Sequence, residues 1–136
     1  MAFTGSIEDR LAIRELLDDY CDCVNRNDAA AWSLNWAEDA TWALPDYPDY
    51  GEIVGRDAIV AAWIRMMAEY PGIVFIATIG HIDVDGDRAR VRSYTSDVHT
   101  RDGITQRNRG RYDDVMVRRN GRWLLAHRTF RLLHSE

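Results

Sequence analysis

The chain is short of most features that would staple it, anchor it or couple it to a polyanion. It has only two cysteines, Cys21 and Cys23. Two residues apart on a helix, they point roughly opposite ways, which suits neither a mutual disulfide nor a shared metal, and they read as reduced packing residues. No apolar run approaches the roughly 20 residues of a membrane span. The N-terminus lacks a charged-then-apolar signal pattern, so no membrane partner and a cytoplasmic location are expected. Basic excess is missing too. With 17 basic against 22 acidic residues the formal net charge is -5, which weighs against nucleic acid as a partner because such binding is driven by neutralising phosphates. No spacing of the H-E-x-x-H type occurs, so neither a metal nor another cofactor is expected. Repeats, low-complexity tracts and linkers are also absent.

What is present is ordinary globular material. At 136 residues, 46% hydrophobic and 29% charged, the chain is long enough to bury one core without staples and is read as one domain, residues 1–136. Its last third, from Asp83 to Leu133, organises the rest. Arg88 to His99 alternates, with Ala89, Val91, Ser93, Thr95, Asp97 and His99 on one face and Arg90, Arg92, Tyr94, Ser96 and Val98 on the other. Two further strands follow, from about Ile104 to Val117 and from Arg122 to Leu133. Asp102-Gly103 and Asn120-Gly121 separate them, and such dipeptides readily supply the positive φ of two-residue hairpins. A sheet with one apolar face needs a cover, and the N-terminal half supplies helices for it.

Ser6 and Asp9 form a carboxylate variant of the capping box, opening a helix that runs to about Arg26. Its stripe is Ile13, Leu16, Leu17, Tyr20 and Val24. Asn27-Asp28 caps a second helix from Ala29 to about Trp36, and Ala40 to Leu44 reads as a short strand stopped by Pro45. Asp46 to Gly51 is an aromatic loop whose Tyr47 and Tyr50 either cap a cavity mouth or pin the connection. A third helix, Asp57 to about Glu69, buries Ile59, Trp63, Met66, Met67 and Tyr70, and Pro71-Gly72 ends it. Ile73 to Val84 then begins the sheet.

This order, with Ile7-Glu8-Asp9-Arg10, Asn25-Arg26-Asn27-Asp28, Trp36-Ala37-Glu38-Asp39-Ala40-Thr41-Trp42, Gly55-Arg56-Asp57-Ala58-Ile59, Gly110-Arg111-Tyr112 and Asn120-Gly121-Arg122-Trp123 in their places, resembles the SnoaL-like branch of the NTF2-like superfamily. The resemblance implies an α+β fold, a cone-shaped barrel in which three N-terminal helices pack on a strongly curved antiparallel sheet around an apolar pocket. It also implies a cofactor-independent lyase or isomerase, similar to scytalone dehydratase, acting on a small cyclic or aromatic molecule. The other activity class it implies is a non-catalytic binding or structural subunit, similar to the β subunits of ring-hydroxylating dioxygenases. A homodimer or homotrimer through the outer face of the sheet is expected on the same ground, with Tyr94 and Val98 on that face. The dehydratase dyad would fall on Asn25 and Phe75, so it is missing, and a second dehydratase histidine matches His99. The steroid-isomerase oxyanion tyrosine matches Tyr20, and a buried aspartate there corresponds to Asp113 or Asp114.

From the residues themselves, Asp97 and His99 share a strand face. If that face lines the cone, His99 is the acid–base group and Asp97 its modulator; if the strand has left the core by Asp97, both are solvated. Tyr20 and Asn25 are the expected donors to a substrate oxygen. Trp36, Trp42, Tyr50, Phe75, Met67 and His127 are the expected binding walls, although His127, beside Trp123 and Leu125, also reads as a core histidine. His81 and His134 read as surface residues. Arg90, Arg92, Arg107, Arg109 and Arg111 alternate onto what reads as one face, suited to phosphate or, in an acidic chain, to carboxylates across the sheet or a subunit boundary.

Overall fold

The computed structural model describes residues 2–136. Helix α1 spans Ile7–Arg26 because its first turn is capped and one face is apolar: the Asp9 N–H donates to Ser6 Oγ at 3.0 Å, and Ile13, Leu16, Leu17, Tyr20 and Val24 are buried. Asn27, at φ 53°, closes it in the left-handed conformation. Asp28 caps α2, Ala29–Ser33, by accepting from the Ala31 N–H. α3, Arg56–Met67, starts after Gly55, whose φ of 93° a side chain would strain.

Seven strands follow the chain as β1 (Phe3–Thr4), β2 (Trp36–Leu44), β3 (Gly51–Val54), β4 (Val74–Asp85), β5 (Arg88–Arg101), β6 (Ile104–Arg119) and β7 (Arg122–Ser135). They form one sheet in the order β1-β4-β5-β6-β7-β2-β3. The architecture is α+β, as the resemblance implied, but the sheet is mixed and not purely antiparallel: β1 runs parallel to β4, and β2 parallel to β7. Both parallel pairs join segments distant in sequence, which no tight turn forces into a hairpin. The sheet is curled, not closed, with β1 and β3 at its edges. Register shifts in β4, β2 and the β6/β7 pair accompany the curl.

Three local expectations change. α2 stops at Ser33 instead of reaching Trp36, because the Asn35 carbonyl accepts from the Leu125 N–H at 2.8 Å and draws the chain onto β7. β2 therefore begins at Trp36, and the irregular register between Trp36 and Thr41 puts Trp36 and Ala37 inside in succession. That run hides the strand's period of two. β1 and β3 are short edge strands with too few residues to show any period. The two hairpins lie where they were expected, with Asp102, Gly103, Asn120 and Gly121 all at positive φ.

α1 packs against β4 and β7, α3 against β2 and β3, and α2 lies between the two helices. At one end, Arg118 donates to Asp9 at 2.6 Å and to Asp87 at 2.9 Å, Trp123 Nε1 donates to Asp9, and Arg119 pairs with Asp39. At the other end, where β5 and β6 approach the Asp102-Gly103 turn, the core opens. Among the described residues, no helix is long and apolar enough to cross a membrane.

Candidate functional site

The opening is an aromatic cavity of about 180 Å³. Trp42 and Leu44 of β2 form one wall, and Trp63, Met66 and Met67 of α3 another. Tyr47, Tyr50, Tyr70 and Ile73 surround it from the two loops, while Tyr20, Val24, Phe75, Tyr112 and Phe130 complete the lining from α1 and the sheet. The aromatic loop thus contributes both Tyr47 and Tyr50 to the cavity. Gly110 shapes the sheet wall: a Cβ there would stand 2.3 Å from Phe130 Cε1, so only a bare backbone lets that ring lie across the strand.

The lining has few polar groups. Asp97 projects inward from β5, and the β5/β6 register sets it opposite Asn108, whose Nδ2 donates to Asp97 Oδ1 at 3.0 Å. The amide is itself oriented, because Asn108 Oδ1 accepts from Ser135 Oγ at 2.7 Å and from Gln106 Nε2 at 3.3 Å. Burial pushes the Asp97 carboxyl above its ordinary value, against the opposing pulls of Asn108 and His99. Burial likewise raises Tyr47, to about 12, and Tyr70, with Asp97 adding to both. These phenols are neutral donors at physiological pH.

Beneath the cavity lies a charge. Arg128 is 0% exposed and donates to both oxygens of Asp114 at 2.8 Å. Its guanidinium carbon stands 3.5 Å from the Tyr112 ring centroid and 4.5 Å from that of Tyr20. Burial works against the cation, but Asp114 and the two phenols outweigh it and hold Arg128 above its ordinary value. Asp114 is pushed up by burial against the pull of Arg128. Two charge-assisted bonds of this length describe an ionised pair, so Asp114 accepts hydrogen bonds here and does not act as a protonated donor. Tyr20 and Tyr112 are both raised by burial, and they present un-ionised hydroxyl-bearing rings to the cavity.

Residues 5–129 match the SnoaL-like domain family. The chain belongs to that family. No curated protein matches significantly. Among solved structures, a candidate scytalone dehydratase from Novosphingobium aromaticivorans DSM 12444 is 23% identical, covers 96% of this chain and 87% of its own, and superposes with a TM-score of 0.84. A candidate aromatic ring hydroxylase from Novosphingobium aromaticivorans is 26% identical over 96% of this chain and 93% of its own, with a TM-score of 0.83. The hexachlorocyclohexane dehydrochlorinase LinA type 2 is 15% identical over 96% and 88%, also with a TM-score of 0.83.

Within this SnoaL-like domain the expected site residues separate into two groups. Tyr20, Trp42, Tyr50, Met67, Phe75 and Asp97 meet at the cavity. Asn25, Trp36, His99 and His127 do not. Asn25 lies at the exposed end of α1, where Nδ2 donates to the Phe75 carbonyl at 2.9 Å and Oδ1 accepts from the Phe75 N–H at 2.6 Å, so its amide ties helix to strand. Trp36 is 0% exposed behind the lining, packed on Tyr20 and Trp32. His127 bonds Thr41 and Thr129 and is taken up by strand pairing. His99 shares the inward face with Asp97 and is buried, but the Tyr70 ring stands edge-on to it at 4.8 Å and it borders a separate cleft.

Cys21 is buried and its thiol is pushed up to about 11 by burial, which suits the packing role expected of it. Of the arginine stripe, Arg111 pairs with Asp113 on its own strand at 2.9 Å. No group of three or more metal-ligating side chains converges among the described residues. Sequence reasoning missed Asn108, Tyr112, Phe130 and Arg128. The first two were within reach: a two-residue turn at Asp102-Gly103 pairs Arg101 with Ile104, and counting back from it sets Asp97 beside Asn108 and Ser93 beside Tyr112. Nothing local marks Arg128 or Phe130, whose positions follow from the register shift between Val115 and Met116 in β6/β7.

Proposed function

We propose that this SnoaL-like domain is a cofactor-independent lyase or isomerase that moves a proton on a small cyclic substrate. The observation that carries it is Asp97, a carboxyl raised by burial inside an aromatic cavity and held through one oxygen by an oriented amide. The Asn108 bond engages Oδ1 and leaves Oδ2 for substrate. In the proposed step Oδ2 takes a proton from the carbon next to a ring carbonyl, and the C–H electron pair becomes the new carbon–carbon double bond of an enolate. Tyr20 and Tyr112, with the Arg128 cation against their rings, supply hydroxyls for the enolate oxygen. Protonated Asp97 then returns the proton to a different carbon, giving an isomer, or the enolate expels a group from the β carbon, giving a lyase product. His99 would hold no acid–base role in this scheme, because Tyr70 stands between it and the cavity.

The size of the space supports a one-ring substrate. An apolar cavity of about 150 Å³ accepts benzene, and this one, at about 180 Å³, leaves room for little beyond a substituent. A direct test is conversion of cyclohex-3-enone to its conjugated isomer, followed by the rise in enone absorbance. The protein should accelerate it, and Asp97→Asn should remove about 10²–10⁴ of the rate. Because the base must be ionised, the rate should rise with pH through a midpoint shifted upward from the ordinary value of an aspartate.

A second reading, ligand binding without turnover in an assembly subunit, is favoured by one observation: both amide atoms of Asn25, at the expected dyad position, are bonded to the Phe75 backbone. One similar structure is named for an aromatic ring hydroxylase. Binding of cyclohexenone with no acceleration would sink the catalytic proposal and leave this one.

A further inference from the structure

The cleft on the far side of Tyr70 is lined by Glu69, Tyr70, His99, Arg101, Ile104 and Gln106, with Asp102 at its rim. Glu69 and Tyr70 also line the aromatic cavity, so the two spaces share a wall. A ligand larger than one ring must therefore project from the cavity, and the cleft is an adjoining space with polar walls. His99 is 6% exposed, and its Nδ1 is buried without a partner, so the ring can meet a ligand in the cleft only through Nε2. Gln106 stands opposite it in the β5/β6 register. Neither ring nitrogen hydrogen-bonds within the protein, so Nε2 is left for a partner from the cleft. The charges of the cleft exclude an anionic arm: Arg101 pairs with Glu69 and lies 3.8 Å from Asp102, giving two carboxylates to one guanidinium.

We infer that this cleft is a second binding compartment, receiving a neutral hydroxyl-bearing arm of a ligand whose ring fills the aromatic cavity, with His99 as its hydrogen-bond partner. A hydroxyl both donates and accepts, so it pairs with Nε2 whichever ring nitrogen carries the proton. The inference rests on the cavity holding a ring, not on Asp97 transferring a proton.

Isothermal titration of the full chain with three probes tests it: 4-ethylphenol, 3-(4-hydroxyphenyl)propan-1-ol, and the corresponding propanoate. The alcohol should bind up to about tenfold more tightly than 4-ethylphenol, the yield of one net hydrogen bond, and the propanoate should gain nothing. His99→Leu should erase the alcohol's advantage while leaving 4-ethylphenol within about twofold, and His99→Gln, which keeps a hydrogen-bonding group, should retain part of it. Equal affinities of alcohol and 4-ethylphenol in the unmodified chain would overturn the inference, as would an advantage that survives in a folded His99→Leu. If none of the three probes binds, the cavity reading fails along with it. If the probes bind as expected but cyclohex-3-enone is not isomerised, only the proton-transfer proposal falls.

Discussion

Two aspartates at opposite ends of the fold, Asp9 in the first turn of α1 and Asp97 on β5, carry opposite shifts. Asp9, at the closed end, is held below its ordinary value chiefly by the Trp123 N–H, with Ser6 and Arg118 adding to it against the opposing effect of burial. Asp97, at the open end, is held above its ordinary value by burial, with only an amide and a neighbouring histidine pulling the other way. Asp39 is lowered likewise, through Arg119. The closed end surrounds its carboxylates with cations and donors, whereas the open end surrounds one carboxylate with aromatic rings. Pairing of the first kind makes ionisation favourable to folding. The second kind makes ionisation unfavourable to folding, and the proposed proton transfer would draw on that raised carboxyl.

The contrast can be broken most forcefully at the support beneath the cavity. Arg128→Met leaves Asp114 buried without its counter-ion and should lower stability by about 3–5 kcal/mol, measured by urea unfolding. Adding Asp114→Leu should restore most of the loss, since an ion pair replaced by apolar groups of similar volume is often neutral. A smaller effect is expected at Asn25, whose two bonds to Phe75 join α1 to β4 at the open end. Asn25→Ala should lower stability by about 1 kcal/mol per bond, and chemical denaturation of the two proteins side by side checks it.

Asp97→Asn sharpens the comparison by its sign. A carboxyl raised in the folded state binds its proton more tightly there, so its contribution is favourable below the unfolded value and is lost as pH rises through the folded one. The variant should therefore melt above the parent at neutral pH, and the gap should close or reverse in acid. Asp9 and Asp39 work in the opposite sense, since their stabilisation is lost as pH falls through their lowered values. The smallest effect should come from Arg118→Ala at the closed end, whose ion pairs are partly exposed. In about 0.5 M salt its melting shift should shrink further, while ring binding in the cavity stays as in the parent. A large loss of cavity affinity in that variant would break the division between the two ends.

Much of the fold was legible because it is written locally. The stripe Ile13, Leu16, Leu17, Tyr20 and Val24 has a helical period, Ala89 to His99 has a period of two, and Asp102-Gly103 and Asn120-Gly121 are turns by chemistry. The half of the site on these regular elements was legible too: Tyr20 follows from the stripe and Asp97 from the alternation. Other site residues are set by long-range registers. Phe130 reaches the cavity only because Gly110 on the neighbouring strand has no side chain. His99 kept its inward face yet not its expected place, because Tyr70, just beyond α3, stands edge-on to its ring and lies between it and the cavity. Periodicity assigns a face; it does not say what another segment lays over it.

The tryptophans have an optical consequence. Trp32 stacks on Trp63 at 4.5 Å and 13°, Trp36 and Trp42 lie 5.5 and 5.9 Å from Trp32, and Trp42 and Trp63 line the cavity. Indoles this close share excitation, so light absorbed by any of the four is emitted largely from the lowest-energy member of the group. A ring entering the cavity touches two of them and perturbs the emission of all. Trp123, with Arg118 over its ring at the closed end, provides a second signal from the same spectrum. The folded chain thus carries its own chromophores for reporting, without a label, whether a ring is bound.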